Sequence, residues 1–231
     1  MNILINGASR GIGKATALRL ASMEENNLII TGRDMNSLRS LSDDSEFSNI
    51  TCFELDITKQ DERLKSLKKH LKQENRGIDI LVNCAGYLRK SLFIDSDALA
   101  AREMMETNFF GPVAFIKSML LHMNRGSHIV NIGSMGGFQG SVKFPGLSWY
   151  SSSKAALACM TESLAPELSG MGISINCICP GAVQTEMLEE AFPGYKAPLS
   201  ANEMAFFLAD FALNGNRFFN GKVLPVSLST P

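Results

Sequence analysis

Residues 2–13 read NILINGASRGIG. The first five are almost continuously apolar, as a parallel strand covered on both faces must be. They run straight into a turn with the spacing G-x-x-x-G-x-G. Gly7 supplies the positive φ that a sharp turn needs. Gly11 leaves the backbone open to a pyrophosphate, and Gly13 lets the following helix press on the strand. That helix starts inside the turn and offers free N–H groups and a favourable dipole to phosphates. A glycine triplet by itself is equally an ordinary tight turn. Its place between a first strand and a first helix points to a dinucleotide.

The alternation continues outward from this unit. Further strands are predicted near 27–31, 50–55, 78–84, 127–133, 172–178 and 222–226, and helical patterns at 11–23, 58–73, 97–123, 149–169 and 200–213. Thr58 with Asp61, and Ser200 with Glu203, resemble capping boxes. The βαβαβ order predicts an α/β fold with an open parallel sheet and right-handed crossovers. Ligands of such sheets sit outside the carboxyl ends of the strands. The glycine- and proline-bearing stretches 135–148 and 186–199 both follow strands, so both are candidate pocket walls.

Composition narrows the classes. A chain of 231 residues suits one large α/β domain, read here as a single domain over 1–231. Twenty-two Lys and Arg against 23 Asp and Glu leave a net charge of −1, which speaks against nucleic acid and anionic membrane surfaces as partners. No run of about 20 apolar residues exists to span a bilayer, and the N-terminus lacks the pattern of a signal peptide. The five cysteines include no C-x-x-C pair and read as thiols of a reducing cytoplasm. The three histidines have no ligand spacing, so no metal site is expected.

Two places carry chemistry. The second strand ends Thr31-Gly32-Arg33-Asp34. An acid there would hold a ribose 2′-hydroxyl, whereas Arg33, joined by Arg10 from the glycine turn, suits a 2′-phosphate through planar donor forks. NADP(H) is therefore favoured and NAD(H) possible. The alternative is that Asp34 caps the next helix and both arginines are solvated. Further on, Tyr150 and Lys154 stand at i, i+4, on one face of a helix. A nearby ammonium favours phenolate, so Tyr150 can exchange a proton with a carbonyl or alcohol oxygen. Ser134, closing the strand at 127–133, can hydrogen-bond the same oxygen if the glycine-bearing loop behind it folds back. No G-x-S-x-G elbow surrounds it, so a serine nucleophile is disfavoured.

The chain resembles the short-chain dehydrogenase/reductase family over almost its whole length. The matching motifs are GASRGIG at 7–13, LDIT at 55–58, NCAG at 83–86, Asn108, NIGS at 131–134, YSSSK at 150–154 and PGAVQT at 180–185. The resemblance implies a Rossmann-type doubly wound sheet of about seven strands and hydride transfer between a nicotinamide cofactor and a carbonyl or hydroxyl carbon. It implies Tyr150 as acid/base and Lys154 as the residue that lowers the tyrosine's pKa and binds ribose. Ser134 would polarise the substrate, and Asn108 would support a water chain to the lysine. The cofactor would lie along Gly7, Ser9, Arg10, Gly11, Ile12 and Gly13, with Asp56 on adenine and Ile57 beside it. Asn83, Ala85 and Gly86 would line its cleft. Pro180 and Gly181 would turn the chain so that Val183 and Thr185 address the carboxamide. A homo-oligomer, dimer or tetramer, is implied as well.

Several positions depart from the family pattern. Asn6 stands where threonine is usual, Cys84 replaces a second asparagine, SVK at 141–143 is extra, the loop after Thr185 is short, and the tail reads VSLSTP at 226–231. Met135, Phe138, Phe144, Trp149, Met187, Leu188, Phe192 and Tyr195 are candidate walls for a partly apolar substrate, or equally core or subunit contacts. The expected function is an NADP(H)-dependent carbonyl reductase or alcohol dehydrogenase. The competing reading is a non-catalytic nucleotide sensor on the same fold.

Overall fold

The computed structural model describes residues 1–44, 47–59, 61–75 and 77–228. The last three residues of the atypical tail, 229–231, lie outside the described residues. The first half runs β1 (Asn2–Asn6), α1 (Gly11–Ala21), β2 (Asn27–Gly32), α2 (Met35–Asp44), β3 (Ile50–Glu54), α3 (Glu62–Glu74), β4 (Ile78–Asn83), α4 (Ala98–Met105) and α5 (Gly111–Met119). The second half adds β5 (Met123–Ile132), α6 (Ser148–Ser169), β6 (Ser174–Pro180), β7 (Val183–Gln184), α7 (Glu186–Ala191), β8 (Leu199–Ser200), α8 (Ala201–Asn214) and β9 (Val223–Val226).

Seven strands form one parallel sheet in the order β3-β2-β1-β4-β5-β6-β9. Alternation along β1 decides what covers each face. Ile3 and Ile5 point to a cluster with Leu20 of α1, Leu38 of α2, and Leu208 and Phe211 of α8. Leu4 points to the opposite cluster, with Leu67 of α3, Phe115 of α5 and Leu168 of α6. This is the doubly wound α/β fold. The chain leaves β1 towards β2 on one side and later returns to β4 on the other, so a crevice opens at the carboxyl ends of β1 and β4.

The predicted helix at 97–123 is not continuous. Between α4 and α5 the backbone makes a π turn over Glu106–Phe110, with the Gly111 N–H bonding back to the Glu106 carbonyl. Pro112 follows, and having no N–H it cannot bond the Asn108 carbonyl in the α-helical pattern. Beyond α5 a short 3₁₀ turn (Leu120–His122) ends the helical run, and β5 begins at Met123, earlier than predicted. The Ser200–Glu203 capping box forms at α8. The one expected at Thr58 does not: Thr58 bonds to Asp56, and Asp61 alone caps α3 by accepting from the Arg63 N–H.

Candidate active site

A cleft of about 510 Å³ lies across the carboxyl ends of β1, β4, β5 and β6. The glycine turn forms one end. Gly7 holds φ +85°, and a Cβ on Gly13 would fall 2.1 Å from the Gly7 carbonyl oxygen, so the helix meets the turn with no room for a side chain. Ser9, Arg10, Gly11 and Ile12 line the cleft there, with Arg33 from the end of β2 and Asp56 and Ile57 beyond β3. Ala85 and Gly86 form its floor, and Pro180, Gly181, Val183 and Thr185 its far wall. Backbone donors, two guanidiniums and small residues along one track fit a dinucleotide.

The arginines do not stand alike. Arg33 is exposed, and its charge is felt by Asp56. Burial would raise the Asp56 carboxyl, but hydrogen bonds from Thr58 together with Lys59 and Arg33 outweigh it and hold the carboxyl below its ordinary value. Arg10 is bound to Glu190 of α7 at 2.7 Å. Asp34 caps α2, accepting from the Asn36 and Ser37 N–H groups.

At the other end of the cleft, α6 carries Tyr150 and Lys154 towards Ser134, which follows β5. Tyr150 and Ser134 line this end of the cleft together, and Ser134 Oγ accepts from the Gly136 N–H at 3.1 Å. Lys154 is 4% exposed; its Nζ donates to the Ile132 carbonyl at 2.8 Å and lies 6.0 Å from the centre of the Tyr150 ring. Here the expected acid shift of the phenol is reversed. Burial pushes Tyr150 up, the neighbouring Ser134 hydroxyl pulls it down less strongly, and the Cys179 and Cys84 thiols add to the rise. The ammonium, engaged by a backbone carbonyl, does not offset that burial. Burial likewise lowers Lys154, against the pull of Cys84, Cys177 and Cys179. The Cys84 thiol in the cleft floor is pushed up to about 11 by burial, so it is a neutral wall group.

Two expected cleft residues lie behind it. Asn83 is 1% exposed and donates to Asn131 Oδ1 at 2.8 Å beneath the strand ends. Asn108, in the π turn, is fully buried. Its Oδ1 accepts from the Tyr87 N–H, and its Nδ2 donates to the Tyr87 carbonyl and to Ser153 Oγ, so its amide ties the segment after β4 to α6. These bonds make Asn108 a positioning residue.

Of the expected apolar walls, Met135, Phe144, Met187, Leu188, Phe192 and Tyr195 line the cleft. Phe138 packs instead against Ala158, Cys177 and Cys179. Trp149 stacks on Phe93 and donates Nε1 to Ser96. Leu88 and Thr107 line the cleft without having been anticipated, while Val142 and Glu186 come from the two stretches expected to wall it. The extra residues at 141–143 brace the loop that carries Val142 and Phe144. Ser141 bonds the Met135 carbonyl, and Lys143 Nζ donates to the Phe138 carbonyl at 2.7 Å. Across the mouth, Lys90 Nζ stands 4.2 Å over the Phe192 ring, a cation–π contact.

Comparison with known proteins agrees with this geometry. Residues 1–196 match the short chain dehydrogenase family. The chain is similar to the dehydrogenase/reductase SDR family member 7B of Danio rerio, 32% identical over 204 residues; the match covers 83% of this chain and 64% of that one's length. It is also similar to an uncharacterized oxidoreductase of Staphylococcus saprophyticus, 32% identical over 207 residues, covering 87% of this chain and 86% of the other. Among solved structures, ElxO with NADP bound superposes with a TM-score of 0.85 at 29% identity, covering 98% of this chain and 96% of that one.

Proposed function

Since the chain belongs to the short chain dehydrogenase family of oxidoreductases, we propose that it acts with NADP(H) on a carbonyl or alcohol substrate that is partly apolar. The observation that carries the reading is that Ser134, Tyr150 and Lys154 line one end of a cleft whose other end is the glycine turn. The nicotinamide cofactor supplies the hydride when bound. The chain's own residues do the rest. The glycine turn and the α1 N-terminus would hold the diphosphate, with Arg33 and Arg10 on the 2′-phosphate and Asp56 and Ile57 at the adenine. Ala85, Gly86, Pro180, Gly181, Val183 and Thr185 would flank the remainder. Tyr150 would give its proton to a carbonyl oxygen, or take one from an alcohol, while Ser134 holds that oxygen in place. Lys154 stands beside the phenol with a desolvated ammonium, and Asn108 keeps α6 registered on the cleft floor through Tyr87 and Ser153.

The apolar wall formed by Phe144, Leu188 and Phe192 favours a substrate with an apolar body. Among the described residues no helix is long and apolar enough to cross a membrane. One domain, a cytoplasmic location and a homo-oligomer belong to the same proposal, and light scattering tests the last. The decisive experiment follows NADPH absorbance across a panel of apolar aldehydes and ketones. Turnover that drops by about 10²–10⁴-fold in Tyr150→Phe, with NADPH binding kept, is the expected result. Tight NADPH binding without consumption on any carbonyl overturns it.

A further inference from the structure

Arg10 and Glu190 are 180 residues apart in sequence and meet across the cleft. Arg10 sits at the N-cap of α1, inside the glycine turn; Glu190 is on α7, at the opposite lip. The contact is one-pronged, Nη1 to Oε1 at 2.7 Å, between side chains 48% and 61% exposed. It is not an isolated surface pair. Glu186 stands four residues earlier on α7, on the same helix face, and its carboxylate lies 3.6 Å from where a Cβ of Gly11 would be. This acidic face of α7 therefore lies directly on the turn.

Resting on the NADP(H) reading above, we propose that Glu190 sets cofactor selectivity by competing with the 2′-phosphate for the Arg10 guanidinium. A phosphate dianion and a carboxylate on one exposed guanidinium repel each other. The phosphate wins because a planar fork grips it with two bonds, but the ion pair to Glu190 breaks first. NADP(H) bears that cost. NAD(H) has no 2′-phosphate and leaves the pair intact. Glu190 thus narrows the preference that two arginines would otherwise give.

The test needs no turnover. The cofactor-free protein is titrated calorimetrically with adenosine 2′,5′-bisphosphate and with adenosine 5′-monophosphate. Glu190→Gln is expected to tighten the bisphosphate by about two- to five-fold, the worth of a surface ion pair, and to leave the monophosphate unchanged. In an Arg10→Ala background the same substitution is expected to change neither. Equal tightening of both nucleotides, no tightening, or an effect that survives Arg10→Ala overturns the inference. A wild-type protein that fails to prefer the bisphosphate defeats the NADP(H) reading itself, whereas a preference unmoved by Glu190→Gln defeats only the role of Glu190.

Discussion

The backbone of Gly137 lies so close to Lys154 that a methyl group on its Cα would stand 2.6 Å from the lysine's carbonyl carbon and 2.7 Å from its Cβ. The same methyl would meet the Ala155 nitrogen at 2.6 Å. The loop after Ser134 is thus pressed against the helix that carries Tyr150 and Lys154, which is how a serine and a tyrosine from separate elements come to face one cleft. Gly137→Ala must push loop and helix apart, because backbone atoms cannot move aside as a flexible side chain can. A misplacement of about 1 Å can cost 10²-fold in rate. Turnover is expected to fall by about that factor while NADPH affinity, set at the other end of the cleft, changes little. Steady-state kinetics beside a fluorescence titration check this, and wild-type turnover in Gly137→Ala would contradict it.

Asn108 has a related role and a different signature. Its buried amide holds both backbone groups of the half-buried Tyr87 and the buried Ser153 hydroxyl. Asn108→Ala strands those partners, at about 1–3 kcal/mol for each group left unpaired. A stability loss of about 2–4 kcal/mol in urea denaturation is expected, together with lowered turnover. Asn108→Asp is expected to help little, since a carboxylate cannot donate to the Tyr87 carbonyl. A stable and active Asn108→Ala would show that the amide positions nothing.

Tyr150 offers a spectroscopic test. Burial raises the phenol above its ordinary value of 10.0, outweighing the pull of the neighbouring Ser134 hydroxyl. The cofactor-free protein should therefore show no tyrosinate from Tyr150 at neutral pH, and none until the pH passes about 10. The difference in phenolate absorbance between wild type and Tyr150→Phe isolates it from Tyr87 and Tyr195. Tyrosinate near pH 7 without cofactor would mean that the Lys154 ammonium reaches the phenol after all.

The fold's first unit was legible because strand periodicity, a glycine turn and a helix start coincide within residues 2–13. The Tyr150–Lys154 pair was legible because i, i+4 spacing alone sets its face. Other features depended on partners distant in sequence. Helix α2 was foreshadowed only by Asp34 as a cap and its span was not legible, because among its ten mostly polar residues it buries little beyond Leu38 and Leu41. Trp149 looked like a pocket wall next to Tyr150, but Phe93 and Ser96, more than 50 positions earlier, hold it elsewhere. Arg10 reads from the sequence as a candidate phosphate ligand, whereas Glu190, its partner in the fold, carries no signal there. The direction of the Tyr150 shift is a balance between burial and charge, and spacing reports only the charge.

A final prediction concerns acid stability and is independent of the activity. His128 of β5 is 1% exposed, and its two ring nitrogens have partners of opposite kind. Nδ1 stands 3.0 Å from the Ala212 carbonyl oxygen, so it carries the proton and donates; Nε2 stands 3.0 Å from Asn176 Nδ2 and accepts. Protonating Nε2 would set two donors against each other in a dry site. Burial accordingly lowers His128 from 6.5 to about 4, although the bond to Ala212 pulls the other way. The unfolded chain then binds a proton that the folded chain refuses as the pH falls from about 6.5 to about 4, so stability is full above 6.5 and is lost through that window. The loss at the lower end is up to about 3 kcal/mol. Urea midpoints measured between pH 7 and pH 4 should decline for wild type and decline less steeply for His128→Gln, which is weaker at pH 7 but has no imidazole to charge. Parallel declines in the two proteins would place the acid sensitivity elsewhere in the chain.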